Sequence, residues 1–350
     1  NKAVRELLEG KGTHDLLVLA GPRRVGKTTL MKKLIEKNYR ELKDKVLYLP
    51  LDIPSIKKLI LEKGLPYLIN AIQRNRDLRQ PFIIILDEVS AIDDWSTQVK
   101  ALFDILSSGE KFFIIVTGSL GLHLLEQSTT ISGRRGDIPS LSGVGNPGII
   151  LPYKFSEYAE ALPEIKRTIR EVDLLRRVNR IRILREIAST PDEQALKSLK
   201  YIFDKHQLLL SRLFERYLLT GGYALIVYHY FIEKKGESID PRWYREFLGV
   251  ILEDIKYVNL SKDVGELVLA FIREHGPATR FNLRDLNNYV RRLTLSSRRV
   301  SAKLDINEYI EYFINTFAML KAIDYASLQG ETSNSEFKLF IVDPFISVSY

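Results

Sequence analysis

The nine residues Gly21-Pro22-Arg23-Arg24-Val25-Gly26-Lys27-Thr28-Thr29 restrict the folds open to this chain more than any other stretch. They follow a short apolar run (16–20) and open an amphipathic pattern that predicts a helix from Thr28 toward Tyr39. The spacing G-x-x-x-x-G-K-[ST], between strand and helix, has a physical reading. Glycines let backbone N–H groups close around phosphates, and the helix N-terminus favours an anion there. Lys27 sets a positive charge against the β- and γ-phosphates, and the Thr28 hydroxyl is a hard oxygen ligand for Mg²⁺. Residues 21–29 are therefore assigned to a nucleoside triphosphate and its magnesium. A chance glycine-lysine turn would need neither the strand before nor the helix after.

Two further strand ends supply the rest of the expected chemistry. The run Phe82-Ile83-Ile84-Ile85-Leu86 ends in Asp87-Glu88. Asp87 is expected to hold Mg²⁺ through a water, and Glu88 to orient and deprotonate an attacking water. Asp-Glu after a strand can also simply start a turn. The run 46–51 is read as an inserted strand between the two motifs. A third run, Phe112 to Val116, ends in Thr117-Gly118-Ser119. Ser119 is the first candidate to face the γ-phosphate and Thr117 the second; an ordinary strand ending accounts for either alone. Guanine recognition needs N-K-x-D, and Asn1-Lys2-Ala3-Val4 lacks the Asp, so ATP is preferred to GTP.

Strands alternating with helices through the first 150 residues predict an α/β fold, a parallel sheet with helices on both faces. The pattern then becomes helical and rich in Arg, Lys, Leu and Tyr. From about residue 260 it shows three helical segments and two apolar runs, 320–328 and 337–342, around a polar stretch. That is the element series of a winged helix. The expected division is a core over 1–152, a helical lid over 153–258 and a winged-helix domain over 259–350. A hydrophobic fraction of 45% and a charged fraction of 27% suit such a protein. No apolar run reaches the roughly 18 residues of a membrane span. Zero cysteines exclude disulfides, thiolate metal sites and cysteine nucleophiles, and fit a reduced, cytoplasmic setting. His14, His123, His206, His229 and His275 show no metal spacing and are read as structural or surface residues.

The motifs at 21–29, Leu86-Asp87-Glu88-Val89, Thr117-Gly118-Ser119, Ser132-Gly133-Arg134-Arg135 and Leu151-Pro152-Tyr153-Lys154-Phe155-Ser156-Glu157-Tyr158 occur in one order. This series resembles the archaeal and bacterial AAA+-type ATPases of the AAA_14 group, relatives of the STAND and Cdc6/Orc-like ATPases. The resemblance covers the first 160 residues. It continues more loosely through Thr220-Gly221-Gly222-Tyr223, Glu253-Asp254-Ile255 and Asp343-Pro344-Phe345-Ile346. It implies an ATPase core, a helical lid and a C-terminal winged helix. It also implies that Arg134 or Arg135 stabilises transition-state charge, in its own site or a neighbouring subunit's; ordering of the loop up to Ile149 is the equal alternative. Relatives carry Gly-Gly-x-Pro in the lid against adenine. Here Gly221 and Gly222 are kept, but Ala224 stands where the Pro would be.

The net charge of +8 and pI near 9.3 permit a polyanionic partner without requiring one. Arg284, Arg291, Arg292, Arg298, Arg299 and Lys303 face one acid, Asp285, in the same stretch. The last five are candidates for phosphate contacts with double-stranded DNA, the last helix entering the major groove. Asp305, Glu308 and Glu311 on that helix oppose insertion. A second basic run, Lys166 to Arg185, reads as a charged helix face. Three functions stay open: a DNA-associated ATPase, a STAND-like switch binding protein, and a metal-dependent nuclease from Asp324 with Glu336-Phe337-Lys338. A homo-oligomer is compatible with all three.

Overall fold

The computed structural model of the chain describes residues 15–73, 82–107, 112–119, 148–162, 193–233, 238–275, 283–295, 305–323 and 337–348. These fall into two compact units, each drawn from two stretches: Asn1–Leu151 with Val250–Val342, and Pro152–Gly249 with Asp343–Tyr350.

The first unit is built on a five-stranded sheet: β1 (Asp15–Ala20), β2 (Val46–Pro50), β3 (Phe82–Asp87), β4 (Phe112–Gly118) and β5 (Gly148–Ile149). The spatial order is β2-β3-β4-β1-β5, and every pairing is parallel. Side chains alternate across a strand, so an unbroken apolar run needs cover on both faces. Leu16, Val18, Ile84, Leu86, Ile114 and Val116 pack with Trp95, Val99 and Leu102 of α4 (Trp95–Ser107), which follows α1 (Lys27–Lys37), α2 (Pro54–Lys63) and α3 (Leu65–Gln73) in the chain. Leu19, Ile83, Ile85, Phe113 and Ile115 face the other way, toward Met31 of α1. The strand lying between β1 and β3 is β4, not the run 46–51, which forms the edge strand β2. The run 46–51 precedes β3 in sequence but lies beyond it in space. Chain order does not fix sheet order when each connection is a crossover.

Toward the C-terminus the same unit continues as α9 (Lys262–His275), α10 (Leu283–Leu295), α11 (Ile306–Asn315) and the antiparallel pair β6 (Met319–Ile323) and β7 (Phe337–Ile341). Phe317, between α11 and β6, is buried in the cluster beneath the sheet with Leu16 and Val116. Gly265 of α9 gives room to Leu252 and Ile255; a Cβ there would lie 2.6 Å from Ile255 Cδ1.

The second unit comprises α5 (Phe155–Ala161), α6 (Glu193–Thr220), α7 (Ala224–Tyr228), most of α8 (Pro241–Ile251) and α12 (Pro344–Val348). Tyr158, Leu213 and Tyr217 form one core, and the Tyr217 hydroxyl donates to the Tyr153 carbonyl at 2.9 Å. Asp343 is buried, and its carboxylate accepts from Gly222 N at 2.7 Å and Phe345 N at 2.9 Å. Burial pushes this carboxyl up to about 6, and the two N–H donors only partly offset the rise. A folded-state pKa above the ordinary 3.8 means that the native state holds the proton more tightly. The resulting stability is complete below pH 3.8 and is lost as pH rises through about 6. Asp343→Asn removes this titration. The stability difference, parent minus variant, is expected to grow by up to about 3 kcal/mol from pH 7.5 to pH 4. Paired thermal melts across that range measure it, and a flat difference rejects the titration.

Candidate nucleotide site

Local backbone chemistry shapes the loop between β1 and α1. Ile150 N donates to Ala20 O at 2.8 Å, so β5 runs against the strand end, and a Cβ on Gly21 would stand 2.2 Å from the Ile150 carbonyl oxygen. Gly26 sits at φ 106°, a left-handed conformation that costs a β-carbon residue energy, with open space where its Cβ would point. It caps α1 with no side-chain hydrogen bond, so the first-turn N–H groups are not claimed by a cap. Lys27 is buried and donates from Nζ to the carbonyls of Gly21 at 2.7 Å and Pro22 at 2.9 Å. Its pKa lies below that of an exposed lysine because burial penalises the cation, while Glu88 and Asp87 pull it back up. Thr28 and Thr29 are exposed at the helix start, and Val25 is buried beneath the loop.

Across the sheet, the ends of β3 and β4 form one hydrogen-bonded group. Asp87, almost wholly buried, accepts from Thr117 Oγ1 at 2.5 Å and from the Tyr48 hydroxyl at 2.5 Å. Glu88 N donates to Thr117 Oγ1 at 3.2 Å. Glu88 itself lies at φ 59°, ψ 54° and starts the 3-10 turn Val89–Ala91. Left-handed backbone at a non-glycine residue is uncommon and turns the side chain away from the strand direction. Its Oε1 accepts from Ser119 N at 3.0 Å and Ser119 Oγ at 2.7 Å. Thr117 and Ser119 therefore do different work: Thr117 fixes Asp87, and Ser119 fixes Glu88.

Asp254, on the 3-10 turn Glu253–Val258, has no assigned role in the sequence reading but reaches this group. Arg23 donates from Nε to Asp254 Oδ2 at 2.6 Å, from Nη2 to Oδ1 at 2.5 Å, and from Nη1 to Glu253 at 3.2 Å. Ser119 Oγ lies 3.4 Å from Asp254 Oδ2. Burial pushes the Asp254 carboxyl up, with Glu88 adding to the rise and Arg23 opposing it. Arg23, Glu88, Ser90, Ser119 and Asp254 line a cavity of ≈ 210 Å³, whose lining also includes Asp52 and Lys57.

The donors present suit a magnesium–nucleotide pair. Mg²⁺ is held by one or two protein oxygens together with substrate phosphates, not by a full protein cage. Thr28 and Asp87 offer such oxygens, and among the described residues no cluster of three or more His, Cys, Asp or Glu could hold a metal by itself.

Other candidates belong to the second unit, to the C-terminal helices or to stretches outside the described residues. Gly221 and Gly222 belong to the second unit, where Gly221 N donates to Tyr217 O at 2.8 Å and Gly222 bonds with Asp343 and Tyr153. Arg134, Arg135, Arg298, Arg299, Lys303, Asp324, Glu336 and the run 166–185 lie outside the described residues. Arg291 and Arg292 are exposed on α10, with Arg291 bonded to Asn287 at 3.0 Å. His229 stacks on Trp243 and contacts Glu233 within its own unit.

An all-parallel sheet with a glycine loop after β1 and acids at the end of a non-adjacent strand defines a P-loop nucleoside-triphosphatase fold. Residues 13–159 match the AAA_14 family model, described as an AAA domain, so this segment is similar to AAA+-type P-loop domains. No curated protein matches the chain. Among solved structures, the Aeropyrum pernix Orc1 protein in complex with DNA is 12% identical, with 99% of this chain and 88% of that chain covered at a TM-score of 0.44. Cdc6p from Pyrobaculum aerophilum is 13% identical, with 99% and 89% covered at a TM-score of 0.33. Drosophila ORC bound to DNA is 16% identical, with 99% and 92% covered at 0.31. At these scores the likeness carries no functional argument. No described helix is long and apolar enough to cross a membrane.

Proposed function

We propose that the protein binds ATP with Mg²⁺ at residues 21–29, hydrolyses it with Glu88 as general base, and uses the nucleotide state to rearrange its helical and C-terminal parts. The observation that carries this reading is the Asp87–Thr117 and Glu88–Ser119 pairing beside the glycine loop. It separates two carboxylates into two environments, one bonded to two hydroxyls and one facing the cavity. Lys27 and the loop N–H groups bind the β- and γ-phosphates; Thr28 and Asp87 hold the Mg²⁺, which would neutralise developing phosphate charge. Arg134 or Arg135 supplies a further cation, and Gly221–Gly222 an adenine-facing backbone. The parts are a core (1–152), a lid (153–258) and a winged helix (259–350).

Duplex DNA is the proposed partner of the C-terminal helices. Arg291 and Arg292 on the exposed face of α10 support phosphate contacts, together with Arg298, Arg299 and Lys303. Helix α11 is a poor reading head. Ile306, Tyr309, Ile310, Tyr312 and Phe313 are buried, while Asn307, Glu308 and Glu311 are exposed, so its open side is acidic and repels phosphate. Contacts from α10 alone position a protein on DNA without reading bases. ATP turnover should then rise with duplex DNA at low salt, and the stimulation should fade steeply between about 50 and 200 mM salt. Indifference to DNA at both salts rejects this partner.

The second reading is a STAND-like switch that binds protein. It is favoured by Phe317, which seats the C-terminal segment in the cluster beneath the sheet. Partner binding that survives high salt selects it.

A further inference from the structure

We infer that the Asp254 carboxylate is a built-in competitor of the γ-phosphate for Arg23, so that ATP transfers the Arg23 guanidinium from Asp254 to itself and releases the 253–258 turn. The inference rests on the ATP reading above and adds to it a residue far from the nucleotide motifs, together with a route to the C-terminal helices.

Arg23 is part of the phosphate loop and lines the same cavity as Glu88 and Ser119, the residues placed on the γ-phosphate side. Three of its guanidinium nitrogens are engaged by Asp254 and Glu253. A carboxylate and a phosphate present similar oxygen pairs to a guanidinium fork, so each can replace the other on the same donors. Asp254 cannot share the cavity with a γ-phosphate at no cost. Two anions beside each other in a partly desolvated site repel, and Glu88 already adds a third negative group. ADP brings no γ-phosphate and leaves the Arg23–Asp254 pair in place.

Movement of Asp254 has somewhere to go. Leu252 and Ile255, on either side of it, press on Gly265 of α9. The Tyr312 hydroxyl of α11 donates to the Ile251 carbonyl, and Ser261 N, at the start of α9, donates to Tyr309 Oη of α11 at 3.0 Å. A turn gripped at one end by the phosphate loop and at the other by two helices is a two-position element. Through it, the presence of the third phosphate reaches α9 and α11.

The test is equilibrium binding of fluorescent ATP and ADP analogues to the parent, Asp254→Asn, Arg23→Gln and Lys27→Ala proteins, with hydrogen exchange on the parent. Asp254→Asn removes the competing charge and keeps the shape. ATP should bind about tenfold more tightly, the worth of one charge-assisted hydrogen bond, with a smaller change for ADP. Arg23→Gln should lose the preference for ATP over ADP. In the parent, amides of 251–260 should exchange faster with ATP bound than with ADP. Unchanged or weaker ATP binding by Asp254→Asn overturns the inference, as does equal tightening for both nucleotides. If Asp254→Asn fails to fold, the parent's exchange decides, and equal protection with ATP and ADP overturns it. A parent that binds neither nucleotide, or binds them as Lys27→Ala does, overturns the ATP reading itself.

Discussion

Lys27→Ala is expected to abolish nucleotide binding, whereas Glu88→Gln should bind ATP and turn it over about 10²–10⁴-fold more slowly, the usual contribution of a positioned general base. The two substitutions separate because their side chains do different physical work. Lys27 folds over the loop carbonyls of Gly21 and Pro22. Its removal takes one donor from each of those carbonyls and the buried loop cation from the phosphates. Glu88 has its backbone fixed at φ 59°, ψ 54° and its Oε1 fixed by Ser119. A glutamine oxygen still accepts both Ser119 bonds, so the site should keep its shape and lose only the proton acceptor. Turnover at the parent rate by Glu88→Gln would remove Glu88 from the base role. Loss of binding by that variant would point instead to a charge requirement in holding the metal–nucleotide pair.

How much of this was legible in the sequence depends on how local each feature is. The phosphate loop, the strand before it and the helix after it are contiguous, so spacing and periodicity are enough. The apolar runs ending in Asp87-Glu88 and Thr117-Gly118-Ser119 were readable for the same reason. Their division of labour was not, because Thr117 Oγ1 meets Asp87 only once β3 and β4 pair. Tyr48 reads as an ordinary strand tyrosine until its hydroxyl is found on Asp87. Arg23 and Asp254 are 231 residues apart, and nothing in the pattern of either segment points to the other. The strand at 46–51 is legible, but its edge place in the sheet is not, because chain adjacency does not fix spatial adjacency. The two-residue β5 was too short for any periodicity. Asp343-Pro344-Phe345-Ile346 stood out as a series, but its role as a cap on Gly222 depends on a fold-back across 121 residues.

Gly222→Ala is expected to cost the second unit about 3 kcal/mol or more, a large effect for one methyl group. Its Cβ would lie 2.0 Å from the Tyr153 carbonyl oxygen and 2.6 Å from the Tyr153 nitrogen. Both are backbone atoms, and Tyr153 N itself donates to Gly222 O at 2.8 Å, so the strain cannot be relieved by a rotamer change. Gly221→Ala meets Asp343 Oδ1 at 1.9 Å and adds a left-handed φ of 59°. That conformation costs a residue bearing a β-carbon about 1–2 kcal/mol. Gly249, in α8, has open space around the position of a Cβ. Gly249→Ala should therefore stabilise by about 0.5–1 kcal/mol through helix propensity alone, which makes it the internal control. Thermal unfolding of the three variants beside the parent reads all of this in one series. A Gly222→Ala protein that melts with the parent means the close approach to Tyr153 is not kept in solution. The glycine backbone would then be open to a nucleotide base, and the adenine role proposed for Gly221–Gly222 would gain its first independent support. A large loss of stability gives both glycines a sufficient packing reason, and their presence would no longer argue for a base-binding surface.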